Sequence, residues 1–300
     1  MRIVFVLYNG MGEQHPYGFT DKPALLVAQK RYIHYIIDRY GPYVDFWEIA
    51  NEFPHESYST AWLDAITHTI ESYDPQFGRA KSISWDRPDY PGLDFDSYHQ
   101  YWSPSADQYA ELGNNWAKTT PTIFTELGNS LASDEPESAD RWRVGSWCMF
   151  FKQTYPIFWQ TGGHYQPASK AANLSFKPAV RANFKRLADW RAGFDGTAVP
   201  TSGFARSTPE VVAFGLKGNT MYALYLYDKT HPRTARAGMS VSLEAWKPGT
   251  GQWFDPKTGQ IVGTPVDITG TAGQNIVVPT FTADLVFKAV AATNTVNKPK

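Results

Sequence analysis

Residues 43–52 read Tyr-Val-Asp-Phe-Trp-Glu-Ile-Ala-Asn-Glu, and the mainly apolar run from Val44 to Ala50 ends in the polar pair Asn51-Glu52. A run of this kind is typical of a strand buried on both faces of a parallel sheet. Active sites of (β/α)8 barrels lie at the C-terminal ends of such strands, so a carboxylate directly after one is a candidate for acid chemistry. This segment therefore predicts a parallel barrel with Glu52 at its mouth.

A second segment has the same form. In Pro121-Thr-Ile-Phe-Thr-Glu126 an apolar run again ends in a carboxylate, and Gly128 then breaks the strand. The stretch between Glu52 and Glu126 is long enough for a few βα units of roughly 25–30 residues each. Two carboxylates at one mouth can divide the work, because a protonated one acts as general acid while an ionised one attacks. The alternative, two ordinary loop carboxylates, does not account for the recurrence of one pattern at two strand ends.

The first 192 residues alternate between strand and helix patterns. Six predicted strands, each followed by a helix or a long loop, favour a parallel α/β fold. Eight strands close a barrel, so about six βα units are two short. Strands are predicted at 2–8, 44–50, 80–85, 93–98, 123–125 and 156–159. Helices are predicted from a cap at Thr20 or Asp21 to Tyr40, with Pro23 in the first turn, and at 59–73, 106–118, 139–153 and 177–191.

The composition shifts after residue 192. Residues 193–203 are rich in Gly, Thr and Pro and predict a linker. Short alternating strands follow, and Lys217-Gly-Asn219 is typical of a hairpin turn. These strands predict a small antiparallel β-sandwich over 204–290, followed by a polar tail at 291–300.

The composition also excludes some partner classes. The 300 residues carry 28 basic and 29 acidic side chains, a net charge of −1, which argues against nucleic-acid or membrane-surface binding. No apolar run approaches the roughly 18–20 residues of a membrane span, and no signal peptide is predicted. No metal-ligand motif such as HExxH or CxxC occurs, so neither a metal nor a cofactor is predicted.

Several motifs resemble those of one enzyme family. Trp47-Glu-Ile-Ala-Asn-Glu52 resembles the fourth-strand Asn-Glu motif of the clan A glycoside hydrolases, and Phe124-Thr-Glu-Leu-Gly128 resembles their seventh-strand nucleophile motif. His99 and Tyr101 are similar to the His-x-Tyr of the sixth strand in cellulase-like, family 5 members. The resemblance covers about residues 1–192, and the predicted sandwich resembles domains appended to such barrels.

The resemblance implies a retaining glycosidase that acts on a β-linked polysaccharide. Glu52 would be the acid/base, Glu126 the nucleophile and Asn51 a donor to the sugar 2-hydroxyl. His99 and Tyr101 would orient Glu126 or the substrate. Further contacts with the substrate are expected from Trp159, which matches the aromatic residue that ends the eighth strand, and from Asn9 and Trp102.

The same resemblance makes Glu52 the end of strand four, so the strand at 2–8 would be strand three. The barrel would then be truncated at its N-terminus, and a partner chain or a missing N-terminal segment would complete it. The family also implies an extracellular or periplasmic location. The alternative is a non-catalytic carbohydrate-binding protein derived from a glycosidase. An esterase is a third hypothesis, but the sequence has no GxSxG motif.

Overall fold

A computed structural model describes residues 3–9, 22–52, 58–75, 78–84, 90–100, 121–127, 136–158, 178–230 and 233–292. The predicted substrate contacts Tyr101, Trp102 and Trp159 lie outside these ranges, as does the predicted helix at 106–118. The chain divides into two compact units. The first holds six strands and two helices, and the second holds two helices and eleven strands among the described residues.

The first unit is built on parallel strands. Strand β1 pairs with β2 and β2 with β3, and β4 pairs with β5, each in parallel, while β6 lies beside β5. A parallel bridge between Ser84 and Ser97 joins the two groups into one row of six strands. The elements are β1 (Val4–Asn9), α1 (Pro23–Tyr40), β2 (Phe46–Asn51), α2 (Thr60–Tyr73), β3 (Lys81–Ser82), β4 (Asp96–Gln100), β5 (Thr122–Leu127) and β6 (Thr154–Phe158).

Helices α1 and α2 bury apolar faces whose spacing is visible in the sequence. Ile33 and Ile37 on α1 and Trp62 and Ile66 on α2 lie in one core cluster with the residues of β2. The start of α2 is fixed by Ser59, whose hydroxyl accepts a hydrogen bond of 3.0 Å from the backbone N–H of Trp62. Five of the six residues of β2 are buried, as expected for a strand in the middle of a parallel sheet.

Strands β3 and β4 differ from their predicted bounds. In the described part of the segment predicted at 80–85, β3 comprises only Lys81–Ser82, with Ser84 in an isolated bridge to Ser97, and β4 begins at Asp96 rather than at 93. The physical reason is Asp94, whose carboxylate accepts hydrogen bonds of 2.9 Å from both the backbone N–H and the Nζ of Lys81. The residues before Asp96 are therefore held as a turn against β3 instead of continuing the strand.

An apolar cavity of about 500 Å³ lies at the N-terminal ends of the strands in the first unit. Its lining includes Val4 and Phe46, the first residues of β1 and β2, and Phe95, which directly precedes β4, together with Ile123 of β5 and Ile157 of β6. Parallel strands place their carboxyl ends together at the other end of the sheet. The cavity is therefore at the opposite end of this unit from Glu52.

The second unit contains α3 (Pro136–Phe151), α4 (Pro178–Trp190) and an antiparallel six-stranded sheet of order β14-β13-β17-β10-β9-β7. A three-stranded sheet of order β15-β12-β8 and a two-stranded one, β11-β16, accompany it. The strands are β7 (Val199–Thr201), β8 (Phe204–Arg206), β9 (Val211–Lys217), β10 (Met221–Asp228), β11 (Ala235–Arg236), β12 (Ser240–Leu243), β13 (Gly249–Phe254), β14 (Ile261–Ile268), β15 (Gln274–Val277), β16 (Phe281–Thr282) and β17 (Asp284–Ala291).

Strand β10 shows how the large sheet is covered on both faces. Its residues alternate between two cores, because successive side chains of a strand point to opposite faces. Tyr222 and Leu224 pack with β12 and β15 of the three-stranded sheet, whereas Ala223 and Tyr225 pack with α3 and α4. All eight residues of β10 are buried as a result.

The predicted linker and domain boundary need correction. Residues 193–203 include β7, which pairs antiparallel with β9, and the Asp195 carboxylate accepts hydrogen bonds of 2.6 and 2.9 Å from Thr220. This segment is therefore part of the sheet. The boundary predicted at residue 192 also fails, because α3 and α4 bury their apolar faces on the large sheet of the second unit. Within the described ranges, no helix is both long and apolar enough to span a membrane.

Candidate active site

Three strand ends of the first unit bring Glu52, His99 and Glu126 together. Glu52 directly follows β2, His99 lies near the end of β4, and Glu126 lies near the end of β5. His99 and Glu126 are register partners across the β4–β5 pair. One carboxylate oxygen from each glutamate and one ring nitrogen of His99 lie within 4.8 Å of one another. The two carboxylates predicted from the sequence therefore share one site.

The imidazole of His99 lies between the two carboxylates. Its Nδ1 is 3.1 Å from Oε1 of Glu52, and its Nε2 is 3.8 Å from Oε1 of Glu126. The His99 side chain is only 1% exposed, whereas those of Glu52 and Glu126 are 11% and 20% exposed. A register shift between Tyr98 and His99 turns the ring opposite Glu126. The 3.1 Å contact is a hydrogen bond that can hold the Glu52 carboxylate in position, whereas 3.8 Å exceeds hydrogen-bonding distance to Glu126.

Glu52 has a left-handed backbone conformation, with φ of 58°. This conformation costs a residue other than glycine roughly 1–3 kcal/mol, and such positions cluster at functional sites. The backbone N–H of Glu52 donates a 3.3 Å hydrogen bond to Oγ of Ser84, which follows β3. The turn ends β2 and lets the Glu52 carboxylate reach His99.

Asn51 is buried directly below this turn, at 8% exposure. Its Oδ1 accepts a 3.1 Å hydrogen bond from Oγ of Ser84. The predicted donor to a sugar hydroxyl is therefore adjacent to Glu52 and anchored through its carbonyl oxygen. Of Asn9, also predicted to contact the substrate, the structure describes the backbone, which pairs in register with Asn51.

Glu48 is a third carboxylate of the site, and the sequence analysis missed it. Its side chain is within the core at 2% exposure, and its Oε1 lies within hydrogen-bonding distance of the Ser84 hydroxyl. Burial raises the pKa of Glu48 to about 7; the negative charges of Glu126 and Glu52 act in the same direction, and the Ser84 hydrogen bond opposes them. The available signal was a carboxylate inside an apolar strand, four residues before Glu52 and on the same face.

The trio of Glu52, His99 and Glu126 has two possible chemical uses. Paired carboxylates can perform acid and nucleophilic steps on a glycoside. Carboxylates and imidazole are also groups that divalent cations bind. The prediction from the sequence that no metal is used stays a prediction. An assay with and without a chelator tests it.

Comparisons with known proteins were made on sequence and on structure. No protein-family model matches the sequence, and no curated protein matches it significantly. A family 5 glycoside hydrolase from Bacteroides vulgatus ATCC 8482 matches with a TM-score of 0.66 and 16% identity, over 98% of this chain and 71% of that one. Another solved structure, described as a glycoside hydrolase, has a TM-score of 0.61 and 16% identity, over 89% and 69% of the two chains.

An Anoxybacillus α-amylase also matches, with a TM-score of 0.60 and 10% identity, over 91% of this chain and 64% of that one. Identities this low establish a common fold and not a common activity. The resemblance found in the sequence motifs is confirmed at that level. The chain has the fold of the cellulase-like glycoside hydrolases of clan A.

Proposed function

We propose that this protein is a retaining glycoside hydrolase. The observation that carries the proposal is the proximity of Glu52 and Glu126, whose nearest carboxylate oxygens lie within 4.8 Å. Retaining enzymes need their two carboxyl groups about 5–5.5 Å apart, whereas inverting enzymes hold them about 6.5–9.5 Å apart to admit a water. The short separation supports a double displacement.

The roles follow from the chemistry of the pair. Glu52 protonates the glycosidic oxygen, and Glu126 attacks the anomeric carbon to form a covalent glycosyl-enzyme. Glu52 then removes a proton from the water that releases the sugar. His99, between the two, orients Glu52 through its 3.1 Å hydrogen bond, and Asn51 donates to the sugar 2-hydroxyl. The assignment of acid and nucleophile rests on the Asn-Glu and Glu-Leu-Gly motifs.

A β-linked polysaccharide is the proposed substrate. The support is the family 5 motif resemblance and the similarity to a family 5 structure. The α-amylase match shows why fold alone does not select the linkage. A polysaccharide panel with both α- and β-linked members therefore belongs in the first assay, with a chelator added to half of the reactions.

The proposed architecture of the first unit is a (β/α)8 barrel with six of its eight strands. In the row of described strands, β1 and β6 are at the two ends. The apolar cavity of about 500 Å³ at the strand starts is the interior that further strands would fill. We propose that a further polypeptide segment, from this chain or a partner, completes the barrel.

The test compares isosteric variants of the two carboxylates. Glu52→Gln and Glu126→Gln are each expected to lower kcat by at least about 10²-fold, within the usual range for catalytic acids and bases. The control is Glu210→Gln, which changes an exposed glutamate of the second unit and should leave kcat unaltered. Proton NMR of the first-formed product should show the same anomeric configuration as the substrate.

Three outcomes would contradict the proposal. A product of inverted anomeric configuration would show that the two carboxylates activate water for direct attack. Binding to a polysaccharide without product release, in wild type and all variants, would favour a carbohydrate-binding protein derived from a glycosidase. Activity that disappears with the chelator would instead assign the trio to a metal.

A further inference from the structure

Ser84 lies beneath the catalytic pair and contacts four groups at once. Its hydroxyl oxygen meets Oε1 of Glu48, Oδ1 of Asn51 at 3.1 Å and the carbonyl oxygen of Ala50 at 3.2 Å, and it accepts from the N–H of Glu52 at 3.3 Å. A serine hydroxyl has one hydrogen to donate. Three acceptors therefore compete for one proton, and the protonation state of Glu48 decides among them.

An ionised Glu48 can only accept hydrogen bonds, so Ser84 must donate to it, and the Oδ1 of Asn51 loses that donor. A protonated Glu48 can donate to Ser84, whose hydrogen is then released toward Asn51. The oxygen and the nitrogen of the Asn51 amide point in different directions from the carbon that carries them. A hydrogen bond from Ser84 to Oδ1 therefore directs Nδ2 away from Ser84.

We propose that Glu48 and Ser84 form a positioning relay for Asn51, in which protonated Glu48 donates to Ser84 and Ser84 donates to Asn51. The relay rests on the proposed glycosidase function, because its purpose is to hold the Asn51 amide as a donor to the substrate. Neither Glu48 nor Ser84 touches the reacting atoms, so both are positioning residues.

The surroundings of Glu48 make the protonated form accessible near neutral pH. The carboxyl group is buried, which disfavours its charge, and Glu126 on β5 and Glu52 after β2 add negative charge. His99 on β4 is held beside Glu52, at 3.1 Å. On β3, Ser82 is the register partner of Glu48, while the nearby cation Lys81 is engaged by Asp94.

The first test measures the contact of Asn51 with the substrate. Hydrolysis rates are compared for an aryl glycoside and its 2-deoxy analogue, in wild type, Ser84→Ala and Asn51→Ala. Ser84→Ala should lower the preference for the 2-hydroxy substrate by roughly three- to tenfold, the factor of one ordinary hydrogen bond. It should add little to Asn51→Ala, because the two changes remove the same interaction.

Ser82→Ala is the matched control. Ser82 is the last residue of β3, two residues before Ser84, and is buried to the same degree, but its hydroxyl is not part of the relay. Glu48→Gln retains a donor at the relay's start and should keep the substrate preference at pH 6 and at pH 8. Loss of the preference in Ser82→Ala, or an unchanged preference in Ser84→Ala, would overturn the relay.

The second test needs no catalysis and separates failure of the relay from failure of the proposed function. The side-chain amide signals of Asn51 are followed by NMR against pH, and they are assigned by their loss in Asn51→Ala. Wild type should show a step near pH 7, where Glu48 titrates. Glu48→Gln and Ser84→Ala should both lose this step, and Ser82→Ala should keep it. A step that survives in Glu48→Gln would contradict the relay even in an active enzyme.

Discussion

Glu48 and Glu52 lie four residues apart, and their surroundings give them different properties. Glu48 is enclosed in the core at 2% exposure, whereas the Glu52 side chain keeps 11% exposure at the mouth. Enclosure disfavours the charged form of Glu48 and raises the pKa of its carboxyl group. Strand β2 therefore carries a glutamate with a raised pKa, and the residue that directly follows the strand is the proposed acid/base, Glu52.

The raised pKa of Glu48 has a consequence for stability. Between its ordinary value of 4.5 and about 7, the folded protein holds a proton that the unfolded chain has released. The contribution of Glu48 is thus complete below pH 4.5 and is lost as the pH rises through 7. From pH 4 to pH 8, wild type should lose about 3 kcal/mol more unfolding free energy than Glu48→Gln does.

Denaturant unfolding at the two pH values measures this difference. Glu71→Gln serves as control, because its side chain is 53% exposed on α2. It should follow the wild-type pH dependence. Parallel pH profiles for wild type and Glu48→Gln would show that the pKa of Glu48 is the same in the folded and unfolded protein, which would contradict this prediction.

The sequence identified the residues at strand ends and missed those beneath them. Glu52, His99 and Glu126 follow apolar runs, and parallel strands bring their carboxyl ends to one edge, so position along the chain predicts proximity. Glu48 and Ser84 interrupt or end short strands, where a polar residue has no periodic signature. Their contact depends on the β2–β3 register, which no local pattern contains.

At the scale of elements, Arg79, which precedes β3, makes an ion pair with the end of α2 and hydrogen bonds with the segment before β2. Its Nη1 lies 2.5 Å from Oδ1 of Asp74, at the end of α2. Its Nε donates to the carbonyl oxygen of Val44, before β2, at 2.7 Å, and its Nη2 donates to that of Gly41. Asp74 also accepts a 3.0 Å hydrogen bond from Nε1 of Trp47. Arg79 therefore aligns the starts of two strands whose ends carry the site.

Arg79→Met removes this cation and leaves the Asp74 carboxylate buried. We expect a loss of about 3–5 kcal/mol in unfolding free energy, which is typical when one partner of a buried ion pair is removed. Urea unfolding provides the measurement. Arg39→Met, at the exposed end of α1, is the matched control and should leave the midpoint unchanged. Equal midpoints for Arg79→Met and wild type would contradict the structural role.

The wrong linker prediction has an element-scale cause. Gly, Thr and Pro between 193 and 203 suggest a flexible connection, yet Pro200 lies in β7 at the edge of the six-stranded sheet. Edge strands tolerate proline because the N–H that it lacks would face away from the sheet. Composition therefore could not distinguish an edge strand from a linker.

At the scale of the whole molecule, the two units are packed in different ways. The first is a row of strands with helices α1 and α2 on one side and an open apolar cavity at the strand starts. The second encloses β10 between two cores and buries the ion pair of Arg143 and Asp284 at 2.8 Å. The sequence predicted the parallel and antiparallel classes of the two parts. It could not assign helices α3 and α4 to the correct unit, because an apolar helix face packs on a barrel and on a sheet equally well.

The proposed double displacement requires Glu126 to become covalently bound to the sugar. The most direct measurement is the mass of the intact protein after reaction with a 2-deoxy-2-fluoro glycoside carrying a good leaving group, followed by peptide mapping. We expect the mass to rise by one fluorosugar, with the label on Glu126, and no label in Glu126→Gln. Turnover of ordinary substrate without any label, or a label on a residue other than Glu126, would contradict the account.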